Sequence, residues 1–480
     1  MPTSGLGHSE PGSHSLPSTH GDAAVRGVVE SFSLRNLTRE EMSDEVRSFL
    51  DTGIYRLVRD GSKVVFLDPV RILNHSYSRF WVSPSAYYSR SFETTTAALK
   101  TDAVEDSRIL KKRKRTRAPR DLNESERAAE KRHQEARTFL LNAHKVFLEA
   151  AELQALLPEL VKSEVSLPTR RASEQKFIQL GSLWQAPLYE ISLCFRNKNL
   201  SDDTGGYRLG DHGGTIIVHQ LYNNLICNET NEDVEAEFQS NHYILPSRSC
   251  FHMTTEFRIK SDLRQVRNLV PGNLHKSNQT LSFAHSKDGF NFIVIDPPWE
   301  NGSACQKAMY PTLPNRNFLY LPVKELAHEE GALVALWTTN REKLRIFVEN
   351  ELFPAWGVTK FVLSYWLKVK PDGSLIGELD LFHHRPYECL LLGYINLQND
   401  DSRAMPFEYL GINQVIVSIP GDYSRKPPLG QLLKDHIPGP KPAKCIELFA
   451  RELGAGWTSW GNEPLHFQDS KYFVERDNER

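Results

Sequence analysis

The sequence predicts an α/β fold: a doubly wound, largely parallel sheet covered on both faces over residues 285–470, preceded by an α+β N-terminal half. Three observations predict it. From 285 onward near-continuous apolar runs recur, "FNFIVI", "ALVALW", "FVLSYWL", "YECLLLG", "QVIVSI" and "CIELFA", as strands buried on both faces require. Helix-like stretches, "REKLRIFVENEL" and "PPLGQLLKDHI", lie between them, which is the alternation of an α/β sheet. Polar residues stand just past the apolar runs: Asp296, Asn340, Lys368, Lys426 and Arg451. They make the carboxyl edge of the sheet polar, and that edge is where open α/β sheets bind ligands.

The 480-residue chain is long enough for two or three domains. The hydrophobic fraction of 40% supports a sizeable core, and the formal charge of −2 gives no whole-molecule attraction for nucleic acid, so such a partner needs local basic patches. Residues 1–27 have the polar composition of a disordered tail. Region 28–105 is α+β, with "IYRLVRDGSKVVFLD" reading as a hairpin turned at Asp60-Gly61. A basic linker follows over 106–122; its "LKKRKRTR" reads as a nuclear import signal, a nucleic-acid contact or a solvated linker. Residues 123–174 hold a long amphipathic helix, whose apolar stripe from Ala136 to Leu160 predicts docking on its own chain ahead of a partner coiled coil.

Residues 175–284 read as a middle α+β domain for substrate recognition. There "HYILPSRSCFH" gathers Tyr243, Arg248, Phe251 and His252. Aromatics beside a basic residue can clasp single-stranded nucleic acid, with Arg248 as the contact; a structural loop is the alternative. The six cysteines form no C-x-x-C pair, so they read as reduced thiols and no metal is expected. No apolar run is long enough to span a bilayer, and the first residues lack an apolar signal core, so a soluble, intracellular protein is expected. Residues 471–480 read as a C-terminal tail.

The junction "FNFIVIDPPWENG" (290–302) carries the chemistry. Prolines end a strand because they lack an amide donor and fix φ, so Asp296-Pro297-Pro298-Trp299 is a rigid loop at a strand end. Asp296 supplies a carboxylate, Pro297 and Pro298 supply carbonyls without N–H groups, and Trp299 offers a flat ring. A loop that accepts hydrogen bonds and donates few suits the exocyclic amino group of an aromatic base. That nitrogen is a poor nucleophile because its lone pair is delocalised. Accepting its hydrogens frees the lone pair, which is catalysis by positioning and transition-state stabilisation.

The Asp-Pro-Pro-Trp loop after an apolar strand resembles the catalytic signature of the S-adenosylmethionine-dependent adenine N6-methyltransferases. Downstream, "HHRPYECLLLG", "SIPGDYSRKPP", "CIELFAREL" and "GWTSWGNE" resemble that family's later segments. The resemblance covers roughly 285–470, and its wording is most similar to the branch called methyltransferase-like protein four. It implies a Rossmann-like methyltransferase sheet in circularly permuted order, with the catalytic loop before the cofactor motif. It implies S-adenosylmethionine as cofactor, held by Asp296, Lys426, Glu447, Phe449, Arg451 and Asn462, with Lys426 at its carboxylate. Catalysis falls to Asp296, Pro297, Pro298 and Trp299, with Trp299 stacked on the target base. Glu388 is either an acceptor contact or a structural ion pair. Tyr310 either lines the base pocket or packs its loop, and Trp337 and Trp366 are expected to pack in or beside strands.

The cofactor motif has Ala450 where glycine is common, which is tolerable if φ stays negative there. The implied substrate is adenine in RNA, including small nuclear RNA carrying 2′-O-methyladenosine, with DNA adenine left open; the implied setting is the nucleus, with the cytosol also open, acting as a monomer without metal or membrane. Two alternatives are a non-catalytic nucleic-acid-binding or scaffold relative and a small-molecule or protein methyltransferase.

Overall fold

A computed structural model of the chain describes residues 42–59, 61–89, 124–162, 177, 178, 180, 192–197, 215–254, 289–300, 312–380, 385–396, 414–422 and 425–476, with backbone alone for 192–197 and 215–220. The tail over 1–27, the basic linker, Asp60 and Tyr310 lie outside the described residues.

Helix α1 (Asp44–Thr52) starts where the Ser43 side chain accepts the Val46 N–H and stops at Gly53, whose φ of 73° and N–H bond to Phe49 O form a left-handed cap. A side chain there would also strike Ile72, since an ideal Cβ falls 2.7 Å from its Cγ1. Strands β1 (Ile54–Arg59) and β2 (Ser62–Leu67) pair antiparallel as the expected hairpin. Helix α2 (Pro69–Asn74) follows, with Asp68 as N-cap and Pro69 in its first turn. Next come β3 (Phe80–Val82) and α3 (Pro84–Tyr87).

The predicted long helix is two helices. Helix α4 (Glu124–Leu148) ends before Ala150, which is non-helical at φ −80°, ψ 78°, and α5 (Ala151–Leu160) restarts the stripe. Gln154 Nε2 donates to the Phe147 carbonyl at 2.8 Å, which satisfies an acceptor that the helix end exposes. Docking is on its own chain. Phe147 stacks on Phe66 at 5.7 Å, and Arg132 pairs with Glu342 at 3.0 Å and with Glu349.

The remaining strands are β4 (Ser192–Asn197), β5 (Thr215–Gln220), β6 (Leu225–Cys227), β7 (Val234–Phe238), β8 (Asn241–Leu245), β9 (Cys250–Met253), β10 (Phe292–Ile295), β11 (Ala332–Thr338), β12 (Lys360–Lys368), β13 (Tyr387–Ile395), β14 (Gln414–Ser418), β15 (Cys445–Leu448), β16 (Trp457–Gly461) and β17 (Phe473–Glu475). One eleven-stranded sheet runs β1-β2-β14-β12-β13-β11-β10-β15-β16-β9-β6. Eight strands run one way; β1, β13 and β6 run the other, so the sheet is mixed. Both faces of its centre are buried. Ile293 and Ile295 pack on one side with Leu336 and Leu448, while Phe292 and Val294 pack on the other with Leu333 and Leu432.

This order corrects the expected domain boundaries. β1 and β2 from region 28–105 form one edge of the sheet, and β6 and β9 from region 175–284 form the other. A division at 284/285 cuts through a continuous ladder. The sequence could not show this, because short apolar runs do not state which edge they join. Two other small sheets, β5-β4-β7-β8 and β17-β3, complete the strands.

The thiol reading is corrected too. Cys227 and Cys250 face each other across the β6–β9 pair and form a disulfide. Antiparallel register brings their Cα atoms to 4.0 Å; sequence spacing carries no trace of it. Among the described residues no His/Cys/Asp/Glu group could hold a metal, and no helix is long and apolar enough to cross a membrane.

Candidate active site

Strands β10 and β15 are parallel neighbours, with Ile295 opposite Leu448. Their carboxyl ends therefore deliver Asp296 and Phe449 side by side. Phe449 takes a left-handed φ of 62°, a conformation costing on the order of 1–2 kcal/mol for a side chain with a Cβ. Ala450 is not among the positive-φ residues, so its extra methyl meets no backbone conflict. A cavity of about 290 Å³ opens at this edge, near the lower end of ligand-sized pockets. Asp296, Lys426, Glu447, Phe449 and Arg451 all line it.

Lys426 is the electrostatic centre. Its Nζ lies 3.2 Å from Asp296 Oδ2 and 3.3 Å from Glu388 Oε2. Burial opposes its charge, but Asp296 and Glu388 outweigh that and raise its pKa. Lys368 pairs with the other oxygen of Glu388 and sits 4.4 Å over the Trp366 ring. Burial would raise the Glu388 pKa, yet the two ammonium groups hold it down at about 2. The result is an alternating chain, Lys368, Glu388, Lys426, Asp296, reaching from β12 to the catalytic loop. Glu388 therefore sits in the ion pair of its two readings.

Glu447 is different. Among the described residues no hydrogen bond or ion pair is made by its carboxyl. Burial, with Asp296 and Glu452 adding repulsion, pushes its pKa up to about 8 against the pull of Arg451 and Lys426. An acid without its own counter-ion suits a ligand bearing hydroxyls or positive charge. Phe449, Leu429 and Trp457 add apolar wall. Acidic, cationic and ring-sized apolar surfaces together fit an amphoteric nucleoside such as S-adenosylmethionine.

Several expectations are corrected. Trp299 does not present its ring. It is 6% exposed, its Nε1 donates to the Trp337 carbonyl at 2.8 Å, and it meets Phe318 edge-on at 4.8 Å. The reason is local: its N–H donates to the Pro297 carbonyl at 2.7 Å, a tight turn that swings the ring into the core. The Pro298 carbonyl accepts the Leu313 N–H at 3.0 Å. Pro298 therefore anchors the loop, while the Pro297 oxygen retains a second lone pair.

Asn462 follows β16 at the same sheet edge but does not line the cavity. Arg248 is an exposed turn residue at φ 53° whose Nε donates to Asn231 at 2.8 Å, and it does not line the cavity either. Tyr243, Phe251 and His252 beside it are buried, so that stretch is sheet interior and offers no aromatic clasp. Trp366 is fully buried and donates to Ser418 Oγ at 2.8 Å.

The sequence reading missed one wall. Ile72, Leu73, His75 and Ser76 of the N-terminal half line the cavity, as do Trp337, Arg425 and Glu452. Asp68-Pro69 announces a helix start, but nothing in the sequence says that this helix faces a site more than 200 residues downstream.

The MT-A70 family profile matches residues 290–463. A mouse protein named N(6)-adenine-specific methyltransferase METTL4 is 30% identical over 414 residues, covering 82% of this chain and 78% of that one. N6-methyladenosine RNA methyltransferase MTA1 of Pyricularia oryzae is 33% identical over 198 residues, 39% of this chain and 50% of that protein. A Caenorhabditis elegans DNA N6-methyl methyltransferase is 35% identical over 193 residues, 38% of this chain and 48% of that protein.

Proposed function

The chain belongs to the MT-A70 family, and from that premise we propose that it transfers a methyl group from S-adenosylmethionine to the N6 amino group of adenine in nucleic acid. The observation that carries the reading is the Asp296 carboxylate, fixed at the end of a buried strand on the rim of a cavity lined by Glu447, Phe449 and Lys426. The cofactor supplies an electrophilic methyl on a sulfonium. Lys426 and Arg451 would offer positive charge to its carboxylate, and Glu447 would accept from its ribose hydroxyls.

Asp296 accepts one hydrogen of the adenine amino group and the free lone pair of the Pro297 carbonyl accepts the other. The amine nitrogen then carries its lone pair toward the methyl. As the N–C bond forms, the methyl's bond to sulfur would break and leave a neutral thioether; the nitrogen becomes cationic, and Asp296 is placed to take the proton it sheds. Lys426 Nζ, 3.2 Å from Asp296 Oδ2, holds the carboxylate in place for that step through a charge-assisted contact.

The preferred acceptor in this reading is RNA in the nucleus, including small nuclear RNA with 2′-O-methyladenosine, and the enzyme works as a monomer. Support comes from the motif resemblance, from the RNA activity that the fungal relative's name carries, and from the basic segment at 111–117. The order of β10 before β15 in the chain supports a circularly permuted methyltransferase sheet.

The test is methyl transfer to matched RNA and DNA oligonucleotides followed by nucleoside mass analysis. Wild-type protein gives N6-methyladenine, and Asp296→Ala gives none while still showing a thermal shift with S-adenosylmethionine. Turnover by Asp296→Ala near the wild-type rate would end the mechanism. No thermal shift and no methyl incorporation by wild type would make the protein a non-catalytic relative.

A further inference from the structure

Next to Lys426 and Arg451, and itself on the cavity wall, lies a charge pair that the reaction does not use. Arg425 is 3% exposed, and its Nε and Nη2 make a bidentate pair with the Glu452 carboxylate. The guanidinium plane lies 4.3 Å from the ring centres of both Tyr87 and Phe467, with Tyr472 at 5.9 Å. A buried bidentate pair is weak as a source of stability, since apolar residues of like volume do as well. Its place in the chain is more informative. Arg425 immediately precedes Lys426, and Glu452 immediately follows Arg451, and both of those neighbours line the cavity.

We infer that Arg425, Glu452 and Tyr87 form a positioning clamp that sets Lys426 and Arg451 for the methyl donor, which gives Tyr87 of the N-terminal half an indirect role in donor binding. The inference rests on the donor site proposed above.

Three features support it. First, the backbone is pinned around the pair: Phe467 N–H donates to Arg451 O at 3.0 Å, Ser459 Oγ to Glu452 O at 3.2 Å, and Leu453 N–H to the Gln468 side chain at 3.1 Å. Second, Tyr87 fits closely on the segment before Arg425. A Cβ on Gly421 would fall 2.9 Å from its Cε1, so that contact accepts only glycine without a shift. Third, the pairing resolves a competition. Glu452 lines the same cavity and is one of the charges that push the Glu447 pKa upward; unpaired, it would compete with the donor's carboxylate for Lys426 and Arg451. Arg425 neutralises it, and the aromatic rings hold the guanidinium where Nη1 has no hydrogen-bond partner. Tyr87 itself does not line the cavity, so any effect it has on the donor acts through the clamp.

The experiment is titration calorimetry of S-adenosylmethionine and of S-adenosylhomocysteine with full-length wild type, Arg425→Lys, Tyr87→Leu and Tyr87→Phe, each with a ligand-free thermal melt. Arg425→Lys keeps the charge but loses the planar fork, and Tyr87→Leu loses one stacked face. Both are expected to bind donor about tenfold or more weakly, while Tyr87→Phe, which keeps the ring, binds as wild type does. Variants that melt lower yet keep wild-type affinity would overturn the clamp and leave it a stability element. If Arg425→Lys does not fold, Tyr87→Leu decides alone by the same criterion. Wild type that binds neither ligand would instead fail the donor-site reading itself.

Discussion

Replacing Glu447 with Gln should change how the protein's stability depends on pH. In the unfolded chain this carboxyl titrates near its ordinary value of 4.5, and in the fold it is raised to about 8 by burial and by Asp296 and Glu452. Between those values the native state holds a proton that the unfolded chain releases. Stability must therefore fall as pH rises through the window, by about 1.4 kcal/mol per unit, reaching at most roughly 5 kcal/mol above pH 8. Below about pH 4.5 the group is neutral in both states and contributes nothing. The amide has the same shape and no charge, so Glu447→Gln removes this slope. Urea unfolding of both proteins at unit steps from pH 5 to 9 measures the difference. The variant should gain on the wild type from pH 5 to 8 and the gap should then level off. Parallel profiles would show that Glu447 is ionised and solvated like any surface acid, and the argument for an uncompensated charge in the cavity would fail. A cationic donor adds a second readout. Its charge favours the ionised form, so calorimetry at pH 7 in buffers of different ionisation enthalpy should show protons released on binding to wild type and none on binding to Glu447→Gln.

Three more outcomes follow from other contacts. Lys426→Met leaves Asp296 and Glu388 facing each other without the cation between them, and should cost about 3–5 kcal/mol in urea unfolding and on the order of 10²-fold in single-turnover methyl transfer. Trp299→Phe removes a buried donor from the Trp337 carbonyl and should cost about 1–3 kcal/mol with donor affinity unchanged; full stability combined with lost nucleic-acid binding would restore the stacking role. Phe147→Ala empties a site packed on Phe66 and should cost about 3–5 kcal/mol in one transition, because the strand it covers belongs to the same sheet as the catalytic strands; two separate transitions would mean that the N-terminal half unfolds by itself.

What the sequence could show and what it could not divide along a physical line. The ends of β10 and β15 were legible because each strand is a short apolar run that stops at a residue with distinctive chemistry: an acid before two prolines at Asp296, and an acid within the run at Glu447. Neighbouring strand ends then place Asp296, Glu447, Phe449, Arg451 and Lys426 around one cavity. Trp299 was misread because a ring beside prolines looks exposed. Its direction is set by a turn of three residues and by a carbonyl 38 positions away. The wall of Ile72–Ser76, the Cys227–Cys250 bond and the Tyr87 contact were invisible for a shared reason. Each depends on which edge of the sheet a short strand joins, and periodicity fixes a strand's faces without fixing its neighbours.

The site also stands out by what it fails to satisfy. Phe449 holds a backbone conformation that glycine adopts freely, and Glu447 carries a carboxyl without a partner among the described residues. Asp296 shares its cation with Glu388. The buried cations Arg425 and Arg345, by contrast, each hold an acid of their own, Glu452 and Glu349. Departures from good local chemistry are expected where function outweighs stability, and these three fall at the carboxyl ends of two adjacent strands. A strand terminator alone would need none of them. A loop that received a cationic donor on one side and an amino group on the other would use all three: an acid without its own counter-ion, a cation shared between two carboxylates, and a bent backbone beside them.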